Sequence, residues 1–263
     1  MIQFNINRFG KLAKWSLLGD KRYFVKSLLQ YIVVMLLLFV FFTMIVKMPS
    51  YKAYISCAIA EFAIVMVNLV IGPALMFYSM EGKHDMQTLL MLPASNFEKY
   101  LVRYFHWIVV LALSVVACLA ADTLQYLLHL LFGHDYGRFV TSVLMDGVVG
   151  FTNSSHTSET GLPRFIVSMI ILIIWAQSLY AVGATLFRSR KFNWVITTAV
   201  IILIGIVFIK YMGKADAIQL NGHSTIMDFA IGAGFYLVWA MINYWLSYRF
   251  FCRTQVIGKL INV

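Results

Sequence analysis

Long apolar runs alternate with short polar stretches along this chain. A helix needs about 20 mostly apolar residues to cross a bilayer. Six stretches meet that length, near Ser27–Val46, Tyr54–Met80, Tyr104–Asp122, Phe165–Phe187, Trp194–Met212 and Met227–Tyr248. The second is interrupted by "IGPAL", and "TLQYLLHLLF" extends the third along the outer interface. The pattern predicts an all-α, polytopic membrane protein with six transmembrane helices. The polar segments between the runs are too short to fold alone, so residues 1–263 read as one membrane domain.

The first 24 residues read differently. In "NINRFGKLAKWSLLGDKRYF", Phe9, Leu12, Ala13 and Ser16 fall on one side of a helix. Arg8, Lys11 and Lys14 fall on another. That is a basic amphipathic helix suited to lie along the membrane surface.

Composition strengthens the membrane reading. The chain is 61% hydrophobic and 12% charged, where a soluble domain is about half apolar and a quarter charged. The formal charge of +10 would suggest nucleic acid in a soluble protein. Here it reads as topology, because Lys and Arg gather in cytoplasmic loops. Fifteen of the 21 basic residues fall in one alternating set of polar segments. Both termini and residues 81–104 belong to that set and are expected in the cytoplasm. Residues 133–163 form the expected external loop, irregular because "GFTNSSHTSETGLP" is rich in Gly, Ser and Thr.

Chemistry-bearing patterns are sparse. The cysteines Cys57, Cys118 and Cys252 form no CxxC pair, so no disulfide frame or zinc site is expected. No Gly-Lys has the Ser or Thr and the upstream glycine of a phosphate-binding loop. No catalytic residue, cofactor or metal is expected, and work requiring ATP would need another chain. One intramembrane carboxylate stands out. Glu61 shares a helical face with Cys57, Val65 and Asn68, and a charge at that depth faces the bundle interior or water. Gly72 and Pro73 weaken the same helix further on. Glu61 either lines a polar path or holds helices together. His106, Asp122, Gln177 and Asn243 are weaker candidates.

The compact polar stretch "EGKHDMQTLLMLPASNFEKYLVRY", Glu81–Tyr104, is the most specific feature. Asp85 is placed to cap a short helix through Met91. Pro93 interrupts the chain, since the residue before proline avoids helical geometry. Ser95 or Asn96 then occupies an N-cap position, and Glu98, three residues after Ser95, matches a capping box. The new helix leads into the third span with Lys99 and Arg103 at the headgroups. Helix, break and capped helix form a surface element longer than a simple connector requires.

The "LLMLPASNFEKYLVRY" stretch resembles the permeases of type-2 ABC exporters, in which a short amphipathic segment ending in Leu-Pro-x-Ser joins these spans. The Leu-Pro-x-Ser-x-x-Glu-Lys form is similar to permease-like proteins of Bacteroidetes bacteria. The resemblance implies a half-transporter in the cytoplasmic membrane. It would pair with itself or a related permease, with each copy docked on a separate ATPase. The implied docking residues are Leu92, Pro93, Ser95, Asn96, Glu98 and Lys99, together with Arg8, Lys11 and Lys14. The intramembrane polar candidates are Glu61, Asn68 and Pro73. The short polar loop "GKADAIQLNGHSTIMD" departs from the family, whose last external loop often carries re-entrant helices. The other function carried forward is a non-transporting membrane protein that assembles or regulates an envelope complex.

Overall fold

The computed structural model describes residues 4–47, 50–77, 83–131, 138–154, 161–187, 192–212 and 226–253. Among them the chain is helical, with no strand. The helices are α1 (Ile6–Gly19), α2 (Lys21–Val40), α3 (Ser50–Ile71), α4 (Lys83–Met91), α5 (Asn96–Leu131), α6 (Val140–Ser154), α7 (Gly161–Leu186), α8 (Asn193–Met212) and α9 (Ile226–Cys252).

Four helical segments among the described residues are long and apolar enough to cross a membrane: Lys21–Thr43, Tyr51–Leu75, Asn96–Leu128 and Ile166–Leu186. Asn193–Ile206 is a shorter apolar helix. The long helices leave large apolar side chains such as Leu37, Ile59, Val67 and Ile170 exposed. A soluble bundle would bury such stripes, whereas lipid accepts them. The chain is a multi-pass membrane protein on this ground.

Several local expectations hold. The second apolar run breaks at Gly72–Leu75, which form a 3₁₀ turn holding Pro73. The Ala74 carbonyl there accepts a hydrogen bond from Asn193 Nδ2 at 2.7 Å. The third run and "TLQYLLHLLF" form one continuous helix, α5.

Three expectations are corrected. Asp85 does not precede α4 as a cap, because that helix begins at Lys83 and contains Asp85. Lys99 and Arg103, expected to meet the headgroups, are instead buried within the protein. The segment 133–163 is not irregular throughout. Val140–Ser154 is α6, and Gly161–Pro163 open α7. Residues 133–137 and 155–160 of that segment lie outside the described residues, as do Glu81 and Gly82.

Packing divides the chain into two compact units. Unit 1 comprises residues 1–12, 70–104 and 165–263. Its core gathers Met76, Phe77, Leu89, Tyr100, Ala184 and Phe251. Within it α7 and α8 approach closely at Gly183, where a Cβ would collide with the Thr197 side chain. A polar seam joins α5, α7 and α9. The Tyr100 and Ser247 hydroxyls lie 3.0 Å apart, Ser247 Oγ donates to the Ala181 carbonyl at 2.9 Å, and Asn243 Nδ2 donates to Ser178 Oγ at 3.0 Å.

Unit 2 comprises residues 13–69 and 105–164. Met35, Cys118 and Ala121 pack with Ile64 and Val65. Phe39, Tyr54, Cys57, Ala58 and Val140 form a second cluster. This cluster explains α6. Val140, Val143 and Leu144, at i, i+3 and i+4, present one apolar face to it.

Candidate functional site

The polar stretch before α5 builds the first candidate site, inside unit 1. Pro93 follows α4, and residues 92–94 bend without helical bonding. Ser95 then caps α5. Its Oγ accepts from the Glu98 backbone N–H at 3.2 Å, and Glu98 Oε2 accepts from the Ser95 N–H at 2.9 Å. This is the reciprocal capping box that the sequence spacing predicts.

Glu98 does more than cap its own helix. Oε1 accepts from the Asn5 backbone N–H at 2.8 Å and from Arg8 Nη2 at 2.6 Å. Oε2 accepts from Arg8 Nε at 2.8 Å. With Ser95, four donors fill the roughly four lone-pair sites of a carboxylate. Asn5 stands at the N-cap of α1, where its Oδ1 accepts from the Asn7 N–H at 2.9 Å. A capping box would place an acid three residues after Asn5, but that position is Arg8. Glu98 supplies the missing acid from α5, so one carboxylate closes the N-termini of both helices. Its hydrogen bond and charge hold the Arg8 guanidinium above its ordinary pKa. The aromatic rings of Phe4, Phe97 and Tyr248 pack edge-on in sequence beside this point.

Lys99 completes the element. Its side chain turns inward, and Nζ donates to the Leu90 carbonyl at 2.7 Å. That carbonyl belongs to the last turn of α4, where a cation suits the helix dipole. Glu98 and Lys99 are therefore internal braces, with their polar atoms directed at backbone groups and, for Glu98, the Arg8 side chain. The outward residues differ. Met91 is 83% exposed. Pro93, Asn96 and Lys11 are exposed, Leu92 and Ser95 are half-buried, and the Arg8 side chain is partly exposed. Lys14, in the other unit, is exposed as well.

The intramembrane candidates separate. Pro73 is buried in the 3₁₀ turn of unit 1. Glu61 and Asn68 lie in unit 2, both buried. Among the described residues Glu61 has no hydrogen-bond partner, and the Asn68 side-chain amide also lacks one. The Asn68 carbonyl accepts from Trp107 Nε1 at 3.3 Å. Glu61 lies within electrostatic reach of Asp122, Cys57 and Cys118.

Asp122 carries more structure than its position near a span end implied. Its Oδ1 accepts from the Val140 N–H at 2.7 Å, and its Oδ2 accepts from the Thr141 N–H at 3.0 Å and from the Thr141 hydroxyl. Asp122 thus caps α6 from another helix. His106 is buried with its ring against Tyr23 and Phe24, and Nδ1 lies 3.2 Å from Asp20 Oδ2.

Comparison with protein-family models, with curated proteins and with solved structures found no match for this chain.

Proposed function

We propose that this chain is the permease subunit of an ABC exporter. In this reading it spans the cytoplasmic membrane six times with both termini inside, and α8 and α9 supply the last two crossings. It pairs with a second copy or a related permease, and a separate ATPase chain supplies the energy.

The observation that carries the reading is the shared carboxylate of Glu98. The resemblance implicates two segments in ATPase docking, the basic N-terminal helix and the Leu-Pro-x-Ser stretch. Glu98 fastens the start of the first to the second through Arg8 and Asn5. A connector that only linked two spans would need no such bracing. A surface that receives force from a partner needs both pieces to move as one body. The buried brace and the exposed Met91, Pro93, Asn96 and Lys11 beside it fit that requirement.

The test is reconstitution. The chain is co-expressed with an ATPase chain that carries a phosphate-binding loop, sought among the products of neighbouring genes, and placed in liposomes. ATP hydrolysis by the complex should exceed that of the ATPase alone, and Met91→Glu should weaken the coupling while the permease stays folded. An ATPase rate indifferent to the permease contradicts the proposal.

A further inference from the structure

Unit 2 contains a groove of about 600 Å³ between α3 and α6. That size lies within the roughly 300–1,000 Å³ of typical small-ligand sites. On α3 its wall is Ile55, Ile59 and Phe62, spaced i, i+4, i+7 on one helical face. Tyr51 stands one turn before them, at the start of the span. From Tyr51 to Phe62 a helix rises about 16 Å. Half of a roughly 30 Å hydrocarbon core is about 15 Å, so the apolar wall is one leaflet deep.

The opposite wall comes from α6, where Val143 and Leu144 contribute apolar surface. Gly147 keeps the wall low, because a Cβ there would meet nothing within 4 Å. Two charges also line the groove, Arg138 and Asp146. Both are exposed, and neither has an ion-pair partner among the described residues, including each other.

We infer that this groove holds one phospholipid with a zwitterionic headgroup, a phosphate facing Arg138 and an amine facing Asp146, with an acyl chain along the α3 wall. An anionic headgroup would satisfy Arg138 but meet repulsion from Asp146. A zwitterion answers both charges and adds no net charge beside the bilayer. The leaflet-length wall selects a lipid chain over a compact solute. This site does not depend on the transport reading.

The test is native mass spectrometry of the full chain released from detergent, titrated with phosphatidylethanolamine or phosphatidylglycerol. Wild type should retain the ethanolamine lipid roughly two- to fivefold more than the glycerol lipid, the range of one exposed charge pair. Asp146→Asn should erase that preference, and Arg138→Gln should weaken both lipids. Gly147→Leu fills the groove and should remove the bound lipid while the helix content by circular dichroism is kept. Equal retention of both lipids by wild type and by Asp146→Asn overturns the inference. So does a Gly147→Leu chain that still holds lipid, or one that loses only a dimer peak, which would mark the groove as a contact with a second copy. If Gly147→Leu fails to fold, the Asp146→Asn comparison at an exposed position still decides the matter.

Discussion

Arg8 occupies the position in α1 where a capping box would carry its acid, and Glu98, 90 residues later, fills that role from α5 with a two-point grip at 2.8 and 2.6 Å. The same carboxylate accepts the backbone N–H of both N-cap residues, Asn5 and Ser95. Neither helix start is complete without it.

This predicts an asymmetric response to mutation. Arg8→Gln leaves a buried carboxylate without its cation, whereas Arg8→Gln with Glu98→Gln removes both charges. Losing one partner of a buried pair is costlier than losing both. Thermal unfolding in detergent should therefore show the double variant more stable than the sum of the single losses. Ser95→Ala removes only one side of the box and should cost about 1 kcal/mol.

Asp122 should control α6. Asp122→Ala strips the acceptor from the Val140 and Thr141 N–H groups, at a cost of about 1–2 kcal/mol for a lost cap. Amide hydrogen exchange should accelerate at Val140–Leu144 and stay unchanged in α7.

Gly183 is required by proximity. Any Cβ there meets Thr197, so Gly183→Ala should destabilise by about 1–3 kcal/mol through overpacking. Adding Thr197→Ala removes the nearest colliding atoms and should recover part of the loss, as read from the thermal midpoint.

Glu61 separates packing from function. With no hydrogen-bond partner among the described residues, the carboxyl holds no visible brace, and Glu61→Gln should leave protein level and thermal midpoint unchanged or raised. In the transport reading, substrate-stimulated ATP hydrolysis should fall in the same variant. A collapse of protein level instead assigns Glu61 to packing.

Much of the polar element before α5 was legible because its determinants are local. Pro93, Ser95 and Glu98 lie within six positions, and a proline break followed by a capping box needs no tertiary information. Arg8 was legible as part of a basic helix, but its bond to Glu98 was not, since no rule of spacing links residues 90 apart. The inward turn of Lys99 was hidden for the same reason, because its acceptor is the end of a neighbouring helix. Helix α6 departs from the irregular loop expected over residues 133–163 for a physical cause. Gly147, Gly150 and its β-branched residues lower helix propensity, and the compensation comes from Asp122 and from the cluster around Val140. Apolar length revealed the four long spans directly. Asp122 gave no signal in sequence beyond being an acid in an apolar helix.

The most direct measurement is site-specific photo-crosslinking in cells from Met91, the exposed residue beside the Pro93 break. A crosslinking amino acid at that position should capture a chain carrying a phosphate-binding loop, and the same probe at Ile59, exposed within the apolar α3, should not. Capture of that ATPase supports a docking surface braced by Glu98. Crosslinks from Met91 only to lipid, or only to a partner without a nucleotide-binding domain, would contradict the account.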